Sequence, residues 1–177
     1  MVGLIERAGA SIDVALFELR SARLAGALAR AKERGVRIRL ILDAEHAKQD
    51  LAAGEVRLLG GKKGSGRGIM HHKFALFDRQ KVVTGSFNWT PGAEHANYEN
   101  ALLIDDADTV SAYGREFETL WRRAHAGPPP NGAAAGTYDP GQRSKSKHST
   151  QPWLKSIRIR VCKTVRKCGR KSHTYRP

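Results

Sequence analysis

A chain of 177 residues with a formal charge of +14 is long enough for one domain with a proper core and a tail, and short for two. Residues 127–177 hold 12 Lys/Arg against 1 acidic residue, net +11, which leaves 19 against 16, net +3, in residues 1–126. The body is therefore only mildly basic, and the nucleic-acid signature in the overall charge belongs to the tail. No stretch approaches eighteen consecutive apolar residues, which excludes a transmembrane helix, and Cys162 and Cys168 both fall in the tail, so the body depends on no disulfide.

Leu4, Ile5 and Ala8 at helical spacing predict an opening helix, and residues 11–17 read as a buried strand. Ser21 can cap a helix running to about Arg34, with Leu24, Ala27, Leu28 and Ala31 on one face and Gly35 at its end. Residues 36–42 form a second strand that ends at Asp43. Strand, helix, strand is a βαβ unit, which predicts parallel strands and a right-handed crossover. His46-Ala47-Lys48 is an H-x-K that could begin an internal repeat, but position 53 is Ala and no G-S-x-N follows. It is read as the exposed start of a short helix. Residues 60–68, rich in Gly, Lys and Arg, are expected to be a flexible basic loop, either a plain linker or a lip that contacts phosphates.

Next comes the stretch with the densest chemistry. His71, Lys73, Asp78, Gly85, Ser86 and Asn88 stand in the pattern H-x-K-x4-D-x6-G-S-x-N. Residues 70–77 have the apolar, aromatic content of a strand, so His71 and Lys73 share one face while His72 points the other way. A turn at Arg79-Gln80 would return the chain, and Gly85-Ser86 would let backbone approach a ligand closely and bring Asn88 to the same spot. An imidazole, an ammonium, a hydroxyl and an amide would then converge, a set suited to in-line attack on a phosphodiester. It does not suit a metal. Lys73 is a poor ligand at neutral pH, and no H-E-x-x-H, clustered carboxylates or paired cysteines lie nearby, so neither a metal nor another cofactor is expected.

Beyond the motif, residues 101–104 read as an apolar strand. Asp105, Asp106 and Asp108 mark the start of a helix running to about His125, with Val110, Tyr113, Phe117, Leu120 and Trp121 as its buried stripe. Gly127-Pro128-Pro129-Pro130 should close the domain. In the tail, Ile157, Ile159 and Val161 alternate with Arg158 and Arg160, as in a short strand or a basic arm that orders on nucleic acid. Cys162, Cys168 and His173 lack zinc spacing.

The six motif residues, with Tyr98-Glu99-Asn100, resemble the HKD motif of the phospholipase D superfamily, and in particular its small single-motif branch of bacterial endonucleases. The resemblance implies that His71 is a nucleophile that becomes a transient phosphohistidine. Lys73 and Asn88 would hold phosphate, Ser86 would support them, Glu99 would orient the imidazole and Asp78 would brace the motif. The same histidine of a second subunit would protonate the leaving oxygen, so a homodimer with one shared active site is implied. Relatives of this kind usually carry another strand before the first helix, so the chain looks shortened at its start. Met1 is followed by no signal-peptide pattern, which makes the chain cytoplasmic as written and periplasmic or secreted if an export signal was lost; the compartment stays unknown.

The expectation is thus an α/β domain over residues 1–126, with a mixed, largely parallel sheet flanked by helices on both faces, and a disordered linker and basic tail over residues 127–177. Catalysis is assigned to His71, Lys73, Asp78 and Glu99, and phosphate binding to Lys73, Ser86 and Asn88, in a metal-independent phosphodiesterase acting on nucleic acid. The rival readings are a phospholipase D acting on phospholipid head groups and an inactive nucleic-acid-binding relative.

Overall fold

The computed structural model describes residues 1–47, 54–61, 68–126 and 159–162. Helix α1 (Val2–Arg7) leads into strand β1 (Ser11–Leu16), and helix α2 (Ala22–Glu33) then carries the chain to strand β2 (Arg37–Asp43). Ser21 caps α2 as expected, its Oγ accepting the Leu24 N–H at 3.2 Å, and Gly35 at φ +88° ends it. The stripe Leu24, Ala27, Leu28 and Ala31 is fully buried. β1 and β2 are parallel, Ser11 opposite Arg37 and Leu16 opposite Leu42. Both strands are covered on their two faces, which is why they read as near-continuous apolar runs.

Strand β3 (Glu55–Leu59) extends the parallel group, and the sequence reading passed it over. Its signal was there, in Val56 and Leu58 alternating with Glu55 and Arg57, but the run is short. Strands β4 (Lys73–Phe77), β5 (Lys81–Gly85) and β6 (Ala101–Ile104) pair antiparallel in succession beyond β1. Strand β7 (His125–Ala126) pairs antiparallel with β3, and strand β8 (Ile159–Cys162) with β6. The order across the sheet is β7-β3-β2-β1-β4-β5-β6-β8. The sheet is mixed, as expected, but it is not largely parallel: among the described strands only β1, β2 and β3 run together. The reason lies in the connections. Phe77 pairs with Lys81, so only three residues join β4 to β5, far too few for a parallel crossover.

Helix α3 (Pro91–His95) is a single turn after the motif, and helix α4 (Ala107–Arg123) follows β6. Asp106 caps α4, its carboxylate accepting the Thr109 N–H at 2.9 Å. The helix stops at Arg123 rather than near His125, because His125 and Ala126 turn into β7. β8 is one of the two arrangements that the alternation in the tail allowed. The rest of that tail, and residues 62–67 of the basic loop, lie outside the described residues.

Helices flank both faces. α1 and α2 pack over Ile12, Val14 and Leu40, while α4 packs Val110, Phe117 and Trp121 over Ala15, Ile41 and Phe74. On the α4 side the buried Arg39 is bidentate to Asp13 at 2.8 and 2.9 Å and reaches Glu118 at 2.8 Å, with its guanidinium over the Phe117 ring. Burial alone would lower the Arg39 pKa, but the two carboxylates override it and hold the guanidinium well above its ordinary range. The ion group ties α4 to β1 and β2 and fixes the platform from which β4 runs.

Candidate active site

The site forms where β1 ends and β4 begins, with Leu16 opposite Lys73. Pairing continues one step further, the Phe17 N–H donating to the His72 carbonyl at 2.9 Å, so residues 71–73 stay extended and the strand alternation holds. His71 Nε2 and Lys73 Nζ lie 3.2 Å apart. His72 turns to the other face, its ring edge-on to Phe74 at 5.5 Å and its Nε2 3.8 Å from Glu116 of α4. Burial lowers its pKa, against the opposing pull of Glu116. The Phe17 ring forms one wall, touching His71 edge-on at 4.8 Å, with the Lys73 ammonium over it at 5.3 Å. Burial lowers the Lys73 pKa and the Glu99 carboxylate partly opposes this.

The second wall is the loop after β5. At Gly85, φ is +153°, and a Cβ there would fall 2.3 Å from the Asn100 carbonyl oxygen. The glycine thus serves a close approach of β5 to residue 100, not the approach to a ligand that the sequence suggested. Ser86 is pinned in the same place: its N–H donates to the Asn100 carbonyl at 3.1 Å and its Oγ accepts the Asn100 N–H at 3.0 Å. The Ser86 hydroxyl donates to Glu99, whose other oxygen accepts from Asn97 Nδ2 at 3.1 Å. Glu99 was expected to orient the imidazole; the hydrogen bonds found among the described residues give its carboxylate to Ser86 and Asn97 instead. Past Asn88, the Trp89 N–H donates to the Glu18 carbonyl at 3.1 Å, and the Trp89 carbonyl accepts from Arg20 at 2.7 Å and Ser21 at 2.8 Å. These bonds lash the loop to the exit of β1. Between them the Asn88 carboxamide oxygen is buried, with no hydrogen-bond partner among the described residues.

Asp78 stands apart. It follows the last residue of β4, so at about 3.3 Å per residue it lies roughly 16 Å along the strand from Lys73. Its carboxylate accepts the N–H groups of Gly9, Ala10 and Ser11 at 3.1, 2.7 and 2.9 Å. Burial would raise its pKa, but these three donors and Lys81 outweigh burial and hold it below the ordinary range. Of the two roles expected of it, these bonds are those of the brace, and they hold Asp78 at the end of β4 far from His71.

The sequence reading missed one residue in contact with His71, Phe17, and two that stand behind it, Asp43, which accepts the Met70 N–H, and His46, which meets the Phe17 ring. Phe17 was counted only as core, Asp43 only as a strand end, and His46 as the start of a helix. Residues 44–46 form a turn instead, because the Asp43 backbone and carboxylate accept from residues 45–47: the carboxylate takes Glu45 N–H at 3.1 Å and His46 Nδ1 at 2.8 Å. An open pocket of about 610 Å³ adjoins His71, lined among others by Leu59, Ile69, Met70, His72 and Arg123.

Residues 1–121 match the family described as "Cardiolipin synthase, PLD-like domain". The chain is 40% identical over 122 residues to the mitochondrial cardiolipin hydrolase of Xenopus tropicalis, covering 67% of this chain and 58% of that one. It is 36% identical over 112 residues to the phospholipase D of Rickettsia felis, covering 62% and 56%. The match therefore spans little more than half the length of these relatives. Among solved structures, NucT from Helicobacter pylori superposes with a TM-score of 0.65 at 25% identity, covering 71% of this chain and 87% of that one. Nuc from Salmonella typhimurium, a phospholipase D family member, gives 0.64 at 23%, covering 72% and 88%. With two thirds of its length matched and His71 and Lys73 paired at one end of the sheet, the chain belongs to the PLD-like domain family of the phospholipase D superfamily.

Proposed function

We propose that this chain is a metal-independent phosphodiesterase that cleaves nucleic acid through a phosphohistidine on His71. The observation that carries this reading is the 3.2 Å pairing of His71 Nε2 with Lys73 Nζ. An ammonium only donates, so His71 Nε2 accepts, and in the neutral ring the proton sits on Nδ1. A phosphate oxygen is the stronger partner for Lys73. When the ammonium shifts to it, the Nε2 lone pair is freed for attack on phosphorus, and Lys73 and Asn88 hold the oxygens that gain charge. Ser86 and Glu99 keep the Asn88 loop in place. The leaving oxygen needs a proton, and the chain has a single complete motif, so the donor is the His71 imidazole of a second copy in a homodimer.

Nucleic acid is favoured as substrate by the basic tail, net +11. The phospholipid reading has its own support in the names of the relatives and in Ile69, 51% exposed on the rim of the pocket beside His71. The deciding assay incubates the protein, in excess EDTA, with single-stranded and duplex nucleic acid and with phosphatidylcholine and cardiolipin vesicles. The expected result is nucleic-acid cleavage that survives the chelator and is abolished by His71→Ala. Rescue by a divalent ion after loss in EDTA would refute the mechanism, and cleavage of lipid alone would reassign the substrate.

A further inference from the structure

Strand β4 begins at Lys73, so His71 stands ahead of the regular ladder. A hydrogen bond on either side holds its backbone instead. On one side the His72 carbonyl accepts the Phe17 N–H at 2.9 Å. On the other, the Met70 N–H donates to Asp43 Oδ2 at 3.0 Å across 27 positions of sequence. Asp43 ends β2 and is 1% exposed. A buried carboxylate is costly unless it is hydrogen-bonded, and this one divides its oxygens between two tasks. Oδ1 holds the turn that follows β2, meeting the Glu45 N–H at 3.1 Å and His46 Nδ1 at 2.8 Å. The turn therefore needs Oδ1 alone, and Oδ2 is given to the backbone just before the nucleophile.

The chain leaving β3 makes room for that second bond. Gly60 has φ +100° and bridges to Ile69, and a Cβ on it would fall 2.8 Å from Asp43 Oδ2 and 3.0 Å from the Met70 nitrogen. A side chain at position 60 would wedge between donor and acceptor, so the glycine serves this contact. The Met70 side chain is itself buried in the core under α4. Position 70 is thus gripped by backbone and side chain together, and His71 follows it directly. Resting on the phosphohistidine reading, we propose that Asp43 is a positioning residue for that reaction: through the Met70 N–H it sets the place of the His71 imidazole against Lys73. It touches neither substrate nor reacting atoms. What it fixes is the approach of Nε2 to phosphorus, where a misplacement of about 1 Å costs on the order of 100-fold in rate.

The test compares variants of the full chain on bis(p-nitrophenyl) phosphate, with acid-quench labelling of His71 and NMR of its ring nitrogens, assigned by their loss in His71→Ala. Asp43→Asn keeps an oxygen for the Met70 N–H, whereas Asp43→Ala removes it. Gly60→Ala drives a methyl into the bond with Asp43 intact, and His46→Ala disturbs the turn alone. Asp43→Ala and Gly60→Ala should each lose about 100-fold in kcat with KM little changed, and the His71 Nε2 resonance should shift. Asp43→Asn should recover most of the rate, and His46→Ala should keep wild-type kcat and resonance. Wild-type kcat and an unshifted resonance in Asp43→Ala would overturn the proposal, as would equal losses in Asp43→Asn and Asp43→Ala. If Asp43→Ala does not fold, Gly60→Ala decides by the same two readouts. A wild-type protein that hydrolyses no diester, or never carries the label on His71, refutes the phosphohistidine reading instead, and the His71 resonance still decides the positioning.

Discussion

The Asp78 carboxylate accepts the Ala10 N–H at 2.7 Å across 68 positions of sequence, stitching the β4–β5 turn to the start of β1. With Gly9 and Ser11 also bound, Asp78→Asn loses acceptor capacity at a charged site and should cost about 1–3 kcal/mol, with turnover almost unchanged. Because the folded pKa is depressed, this stabilisation is present above the ordinary carboxylate pKa of about 3.9 and fades as pH falls through the folded value. Urea titrations of wild type and variant should therefore differ at pH 7 and converge in acid. A kinetic defect with unchanged stability would return Asp78 to the reacting centre.

His71 and His72 are neighbours that face opposite ways. His71→Ala should lower turnover by at least about 1,000-fold, the scale on which losing a nucleophile acts, whereas His72→Ala should keep most activity because its ring packs on Phe74 under α4. Equal damage in two folded variants would mean that the strand register is wrong.

Lys73 titrates low because burial outweighs the pull of Glu99. Phosphate binding needs the ammonium, so the alkaline limb of kcat/KM should fall below the ordinary lysine value of about 10.4. Glu99→Gln removes the charge that favours the protonated form, and the limb should move lower still. A shift upward in the measured pH profile would contradict this electrostatic assignment.

Gly85→Ala should be severe although the residue touches no substrate. The new methyl would sit 2.3 Å from a carbonyl oxygen at a φ that side chains avoid. Stability should drop by about 2 kcal/mol or more, and activity should fall with the displaced Ser86 loop. A melting temperature equal to wild type would show that the two strands can separate freely.

The composite site proposed for the dimer can be counted. If wild-type and His71→Ala chains are co-refolded in equal amounts, about one quarter of dimers retain both imidazoles, while independent sites would leave about half the activity. Initial rate against mutant fraction should fall quadratically, with mixing confirmed by mass-tagged subunits. A linear decline would rule out sharing.

Local rules carried much of the chain. Ser21 and Asp106 cap their helices because a short side-chain oxygen before an apolar stripe is all a cap requires, and His71 meets Lys73 because strand residues two apart share a face. Gly85 was legible as a special position, yet what it accommodates was not. The nearby Asn100 carbonyl arrives through β6, and nothing in a residue's own neighbourhood states which strand will lie beside it. The same limit explains Glu99, drawn to Ser86 by the β5–β6 register, and Asp78, whose partners sit at the far end of the chain. It also explains the overestimate of parallel strands, since the βαβ unit was visible but the short returns after β4 were not weighed against it. His46 was the furthest out of reach. Its repeat-like spacing was tested and set aside on sequence grounds, and only the folded chain brings it to Asp43 and to the Phe17 ring that His71 also meets, because β1 and β2 end where β4 begins. Side-chain type and spacing determined which chemistry the motif can perform; sheet order, which depends on contacts between distant segments, decided what surrounds it.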